Sequence, residues 1–280
     1  MAADWAMWLS WLALLSGAYP LWRAWRAEAA GSLRHAVGWL AAAWLGWLIA
    51  AAAGLLGEPS APWRYLALVL SAGAGVAVLG ARRPGVAAWN FVVAGLLAVL
   101  LLPLLEQPWS SPHWQVDQVR GFFLGAVLAV GVLNYLPTRL GLPATLAGAV
   151  FTAELWPLVE PAEHGANLPA LAPAALAGSL WLAFLFLRRP RTGRTPFDLT
   201  WLTFRDRYGL AWGMRVREQF NNASGHAGWP VWLAWGGLHV KPDTSPPDEG
   251  QRREMLRVLH AVLKRFGLTA DSAGLPATGG

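Results

Sequence analysis

The chain contains no cysteine. Disulfides, thiolate zinc sites, cysteine-ligated iron–sulfur clusters, covalent c-type haem attachment and a cysteine nucleophile are excluded together. Charge is scarce as well. The 280 residues hold 16 acidic and 22 basic side chains, 14% in all, where an ordinary soluble domain carries roughly 25%. A single water-soluble domain of this size needs more charge to cover its surface. Histidine is limited to six residues, none well inside an apolar run, which argues against a haem held between two intramembrane histidines. No G-x-x-x-x-G-K-[ST], G-x-S-x-G or H-E-x-x-H is present, so phosphate-cradle, serine-hydrolase and zinc-protease chemistry have no foothold.

What is present is apolar: 55% hydrophobic residues and 19 tryptophans. That excess rules out intrinsic disorder and reads as an integral membrane protein. A bilayer core of about 30 Å needs roughly 20 apolar helical residues. Seven stretches qualify, near Trp5–Trp22, Ala36–Leu56, Tyr65–Ala81, Val86–Leu105, Gly121–Leu136, Leu142–Val159 and Leu168–Leu187. The expected fold is therefore all-α, a bundle of seven transmembrane helices over residues 1–187. Glycine and proline in the short loops between them stop one helix and let the next begin.

Alternate loops differ sharply in charge. One set holds Arg23, Arg26, Arg34, Arg82, Arg83, Arg139, Arg188, Arg189, Arg191 and Arg194. The other holds only Arg64 and Arg120, with Glu58, Glu106, Asp117, Glu160 and Glu163. The positive-inside rule places the first set in the cytoplasm. The expectation is a multi-pass protein of a bacterial inner membrane, N-terminus outside and C-terminus cytoplasmic. The start, Met1-Ala2-Ala3-Asp4, lacks the basic region of a cleaved signal peptide.

Tryptophans such as Trp22, Trp63, Trp109 and Trp156 fall at the ends of stretches, as an aromatic belt requires. Trp8 with Trp11, and Trp44 with Trp47, lie deeper; each pair shares a helical face and reads as packing or lipid contact. Small residues four apart form stripes at Gly121, Gly125 and Ala129, at Ala144, Gly148 and Thr152, and at Ala170, Ala174 and Gly178. They predict close helix packing.

Ionisable residues within hydrocarbon are functional suspects. Glu154 is the one well inside a stretch, with no charged partner expected in any other. It reads as a structural carboxylate, or alternatively as a proton or cation site. Asn90, Asn134, Tyr135 and Arg139 fall near the cytoplasmic ends of their stretches and could form one polar cluster. In the outer loops, His113, Asp117, Glu160 and His164 could build a small nitrogen and oxygen metal site, although solvated loop residues are the default.

Beyond Leu187 the composition changes. Residues 1–187 are electrically neutral, and the remainder carries the whole net charge of +6. Residues 188–194 form a basic linker in which Arg188, Arg189, Arg191 and Arg194 face anionic headgroups. Residues 195–267 form a small cytoplasmic α or α+β module. Its first helix is capped by Thr195 and Pro196. It runs to about Asn222, with Trp201, Phe204, Tyr208, Trp212, Val216 and Phe220 on one face and Asp206, Glu218 and arginines on the other. Gly209 and Gly213 interrupt it. Trp229–Trp235 reads as a short strand. Gln251–Phe266 reads as a second amphipathic helix, stopped by Gly267. Residues 268–280 have the composition of a disordered end.

The functional expectation is a non-enzymatic accessory, scaffold or assembly subunit without a cofactor. Its tail binds a protein partner, its bundle meets anionic lipid, and it does not bind nucleic acid. Two alternatives stand beside it. One is a transporter or channel for a neutral or lipid-like solute, using Glu154, Asn90 and Asn134. The other is a metal- or haem-handling protein using His113 and His164.

Overall fold

A computed structural model describes residues 2–29, 31–82, 85–111, 114–160 and 171–267. The described chain is mainly helical and clusters into two compact units, one made of the helices up to Arg188 and the other beginning at Arg189.

The first unit contains nine helices among the described residues: α1 (Ala2–Ser16), α2 (Ala18–Ala27), α3 (Arg34–Leu55), α4 (Ala61–Leu79), α5 (Val86–Leu100), α6 (Leu102–Glu106), α7 (Gln118–Tyr135), α8 (Gly141–Val159) and α9 (Ala172–Arg188). Four of them, α3, α4, α7 and α8, are long and apolar enough to cross a membrane. The expectation of seven such stretches holds to that extent. The Trp5–Trp22 stretch departs from it, because the helix breaks at Gly17. Pro20 has no N–H to continue the ladder. A Cβ on Gly17 would lie 2.1 Å from Trp44 Cζ2, so that ring packs where only glycine leaves it room. The fourth stretch also divides, at Leu101, with Pro103 opening α6.

Contacts close a ring of six helices. α1 packs on α3, α3 on α4, α4 on α7, α7 on α8, α8 on α9, and α9 back on α1, while α4 also reaches α8 and α5 lies against α4. Small residues allow this closeness. A Cβ on Gly46 would stand 3.2 Å from Ala67 Cα, and one on Gly75 would stand 3.0 Å from Gly131 Cα. Two of the stripes take part, since Gly121 and Gly125 face Val159 and Leu155, and Gly148 faces Val132. Gly178 meets open space instead. The outward faces are apolar: Phe91, Leu105 and Phe122 are each at least 80% exposed. Exposed apolar faces of this kind suit contact with lipid or with another protein.

The second unit is built on α10 (Pro196–His226), followed by β1 (Val231–Ala234), β2 (Gly237–Val240) and α11 (Glu249–Leu263). Thr195 caps α10 by accepting from Asp198 N–H. The six apolar positions expected on its inner face are all buried. Gly209, at φ 77° and ψ −163°, breaks the helix near its middle, a conformation that glycine alone adopts readily. β1 and β2 form an antiparallel hairpin in which Leu233 faces Leu238. The expected single strand is thus one arm of a hairpin. An Asp248–Gln251 capping box starts α11 at Glu249, and Gly267, left-handed at φ 74°, ends the following turn. Met255, Leu259 and Leu263 bury their side chains, and Phe266 packs on Phe204, Tyr208 and Trp212.

Candidate functional site

Val150, Glu154 and Leu158 are four apart on α8 and all turn inward. That stripe places Glu154 in the interior with 3% of its side chain exposed. Arg64 reaches it from α4, with Nη1 donating to Oε2 at 3.3 Å. The expectation that Glu154 lacks a charged partner in another helix is therefore corrected. α4 begins at Ala61, with Pro62 in its first turn, so Arg64 belongs to the helix rather than to the loop before it. A carboxylate in such surroundings is stabilised by its paired cation.

Further ordered contacts surround the same end of the bundle. Arg120 donates to both carboxylate oxygens of Glu106 and also pairs with Asp117, which caps α7 by accepting from Arg120 N–H. The bidentate bond from Arg120 holds the exposed Glu106 carboxyl below its usual range. Val116 N–H donates to Leu158 C=O at 2.8 Å, and Trp114 is buried with its ring 5.3 Å from that of Tyr65. Trp63 and Trp109 stack edge to face at 4.6 Å.

The opposite end collects arginines. Arg139 Nη1 donates to Phe186 C=O on α9, and Arg188 lies over the Phe184 ring. Asn134 is buried on α7. Tyr135 C=O accepts from the Thr138 hydroxyl. Asn90 sits half-buried on α5.

Of the expected metal ligands, His113 and His164 lie outside the described residues, as does Glu163. Asp117 is engaged as a helix cap and Glu160 is exposed. Among the described residues no group of three histidine, aspartate or glutamate side chains could hold a metal ion.

Of the four arginines expected at headgroups, Arg188, Arg189 and Arg194 are exposed. Arg191 is turned inward. It donates to Leu202 C=O and pairs with Asp206, whose side chain is 1% exposed. Asp206 therefore belongs to the interior of the second unit rather than to the outer face of α10. Arg205 also pairs with it and donates to Trp235 C=O at 2.7 Å, so this carboxylate anchors the basic linker and the hairpin turn to one helix. Asp198 does the same for β2, accepting from Leu238 N–H at 2.8 Å. Asn221 pairs with both backbone groups of Leu233, and the Ser224 hydroxyl donates to Val231 C=O.

The chain matches no known family model, no curated protein and no solved structure.

Proposed function

We propose that this protein is a non-enzymatic, multi-pass inner-membrane protein of bacterial type, acting as an accessory or assembly subunit whose cytoplasmic tail binds a partner. The observation that carries the reading is the Arg64–Glu154 ion pair between α4 and α8. The one carboxylate deep in an apolar stretch holds two helices together instead of facing a solute path, and this argues against the transporter alternative built on Glu154, Asn90 and Asn134. The tail supports the reading from the other side. It has its own aromatic core and its own buried ion pairs, as an appended binding module needs.

In this arrangement the bundle crosses the bilayer seven times, with the acidic loops outside and the arginine-rich loops within. The absence of cysteine makes the orientation directly measurable. A single Glu58→Cys variant reacts with a membrane-impermeant maleimide on intact cells, and a single Thr192→Cys variant reacts only after lysis. The reverse pattern overturns the orientation.

The partner is tested by purification in mild detergent. A protein recovered in stoichiometric amount with the full chain, and lost when residues 195–267 are deleted, supports the reading. A monomeric full chain without a partner overturns it.

A further inference from the structure

We infer that α2 and the C-terminal end of α9 form a binding site for an individual anionic phospholipid. The site rests on the membrane placement of the bundle and is independent of what the tail binds.

Four rings and two cations form a continuous ladder there. Arg26 lies over Trp22, its guanidinium carbon 5.1 Å from the ring centre. Trp22 meets Tyr19 at 6.1 Å, and Tyr19 meets both Trp181, stacked at 5.9 Å, and Phe184, edge-on at 5.8 Å. Arg188 closes the far end at 4.4 Å over Phe184. Trp181 Nε1 donates to Ser16 Oγ at 2.9 Å, which ties the ladder to the end of α1.

The chemistry of this arrangement selects the occupant. A guanidinium laid over a ring uses its face, and its five N–H donors remain directed outward along the edges. Those donors suit a phosphate diester, which accepts two at once. Among the described residues no ion pair joins a carboxylate to Arg23, Arg26 or Arg188, and all three side chains are exposed. Arg23 and Arg26 border an open cleft of about 330 Å³ floored by Trp22 and Ala27. Tyr19 and Trp22 are close to half-exposed, leaving apolar ring surface beside the cations. A headgroup phosphate held by Arg23 and Arg26, with an acyl chain along Tyr19 toward Phe184, satisfies both halves of the patch. A soluble anion would satisfy only the first. α2 itself fits the role, because tryptophan and arginine alternate along it as they do in helices lying at a membrane surface.

The site is tested on the full chain reconstituted in nanodiscs, with lipid retention after delipidation read by native mass spectrometry. Phosphatidylglycerol is expected to remain bound where phosphatidylcholine is washed away. Arg23→Gln and Arg26→Gln are each expected to reduce phosphatidylglycerol retention about fivefold, and the double variant about 25-fold. Both side chains lie at the surface, and unchanged thermal unfolding of the variants separates lost binding from lost fold. Equal retention of the two lipids, retention unchanged in the double variant, or displacement by millimolar inorganic phosphate each overturns the site while leaving membrane insertion intact. Failure to enter nanodiscs overturns the site and the membrane placement together.

Discussion

Arg64 Nη1 stands 3.3 Å from Glu154 Oε2, joining α4 to α8 across ninety positions of sequence. Removing one partner of a largely buried pair leaves the other charge uncompensated, which costs about 3 kcal/mol. Arg64→Met and Glu154→Met are each expected to destabilise the bundle by about that amount. The Arg64→Met/Glu154→Met double variant is expected to recover most of the loss, because apolar side chains replace both charges. Unfolding in graded denaturing detergent measures all three. A double variant as unstable as the two losses added together would show that the residues act separately.

Gly75 and Gly131 set the distance between α4 and α7. Valine at either position forces the backbones apart and is expected to cost about 1–3 kcal/mol. Gly54 lies in α3 with nothing within 4 Å of a Cβ built on it. Gly54→Ala is expected to stabilise slightly, by up to about 1 kcal/mol, through helix propensity alone. Thermal unfolding of the three single variants distinguishes close packing from a general intolerance of added volume.

In the tail, Gly209 and Gly225 occupy one helix with opposite requirements. Gly209 has φ 77°, so Gly209→Ala is expected to lose at least about 1 kcal/mol to backbone strain. Gly225 is helical and opens to space, so Gly225→Ala is expected to be neutral or mildly stabilising. Tryptophan fluorescence during denaturant unfolding reads the difference. Equal effects would remove the argument that α10 must break at residue 209.

His260 on α11 has a buried Nε2 with no partner among the described residues. Burial lowers its pKa below the usual 6.5. The folded state therefore favours the neutral ring, and the unfolded chain takes up a proton first as the pH falls. The tail should keep its full stability above pH 6.5 and lose part of it as the pH drops from there through the lowered folded value. His260→Leu is expected to remove that slope. Unfolding midpoints between pH 7.5 and 5 check it, and an unchanged slope in the variant would assign the dependence elsewhere.

The sequence made the helical bundle and the tail's inner face legible for a simple reason. Trp201, Phe204, Tyr208, Trp212, Val216 and Phe220 recur at helical spacing, and burial follows spacing closely. The break at Gly17 has no local signal, because the apolar stretch is continuous in sequence and the Trp44 ring that packs there comes from a distant position. The place of Arg64 is hidden for a similar reason. It precedes the apolar run of its helix, and hydropathy dates a helix from its first greasy residue rather than from Pro62. A signal is nonetheless present, since Arg64 and Glu160 fall in the same set of loops and Glu154 stands six residues before Glu160. Asp206 could not be read inward from pattern alone. Its burial depends on Arg191, which the sequence places in a basic linker facing headgroups.

The hairpin has a consequence for how the tail can be approached. A two-stranded sheet normally offers its unpaired backbone edges to any passing strand. Here Asn221 takes both the N–H and the C=O of Leu233, Ser224 takes the C=O of Val231, and Asp198 takes the N–H of Leu238. Side chains of α10 thus stand where further strands would pair, on both margins. β-augmentation is closed at these positions, while Trp232 and Met214 remain as exposed side chains of the module. The same seal protects an exposed, aromatic hairpin from edge-to-edge aggregation.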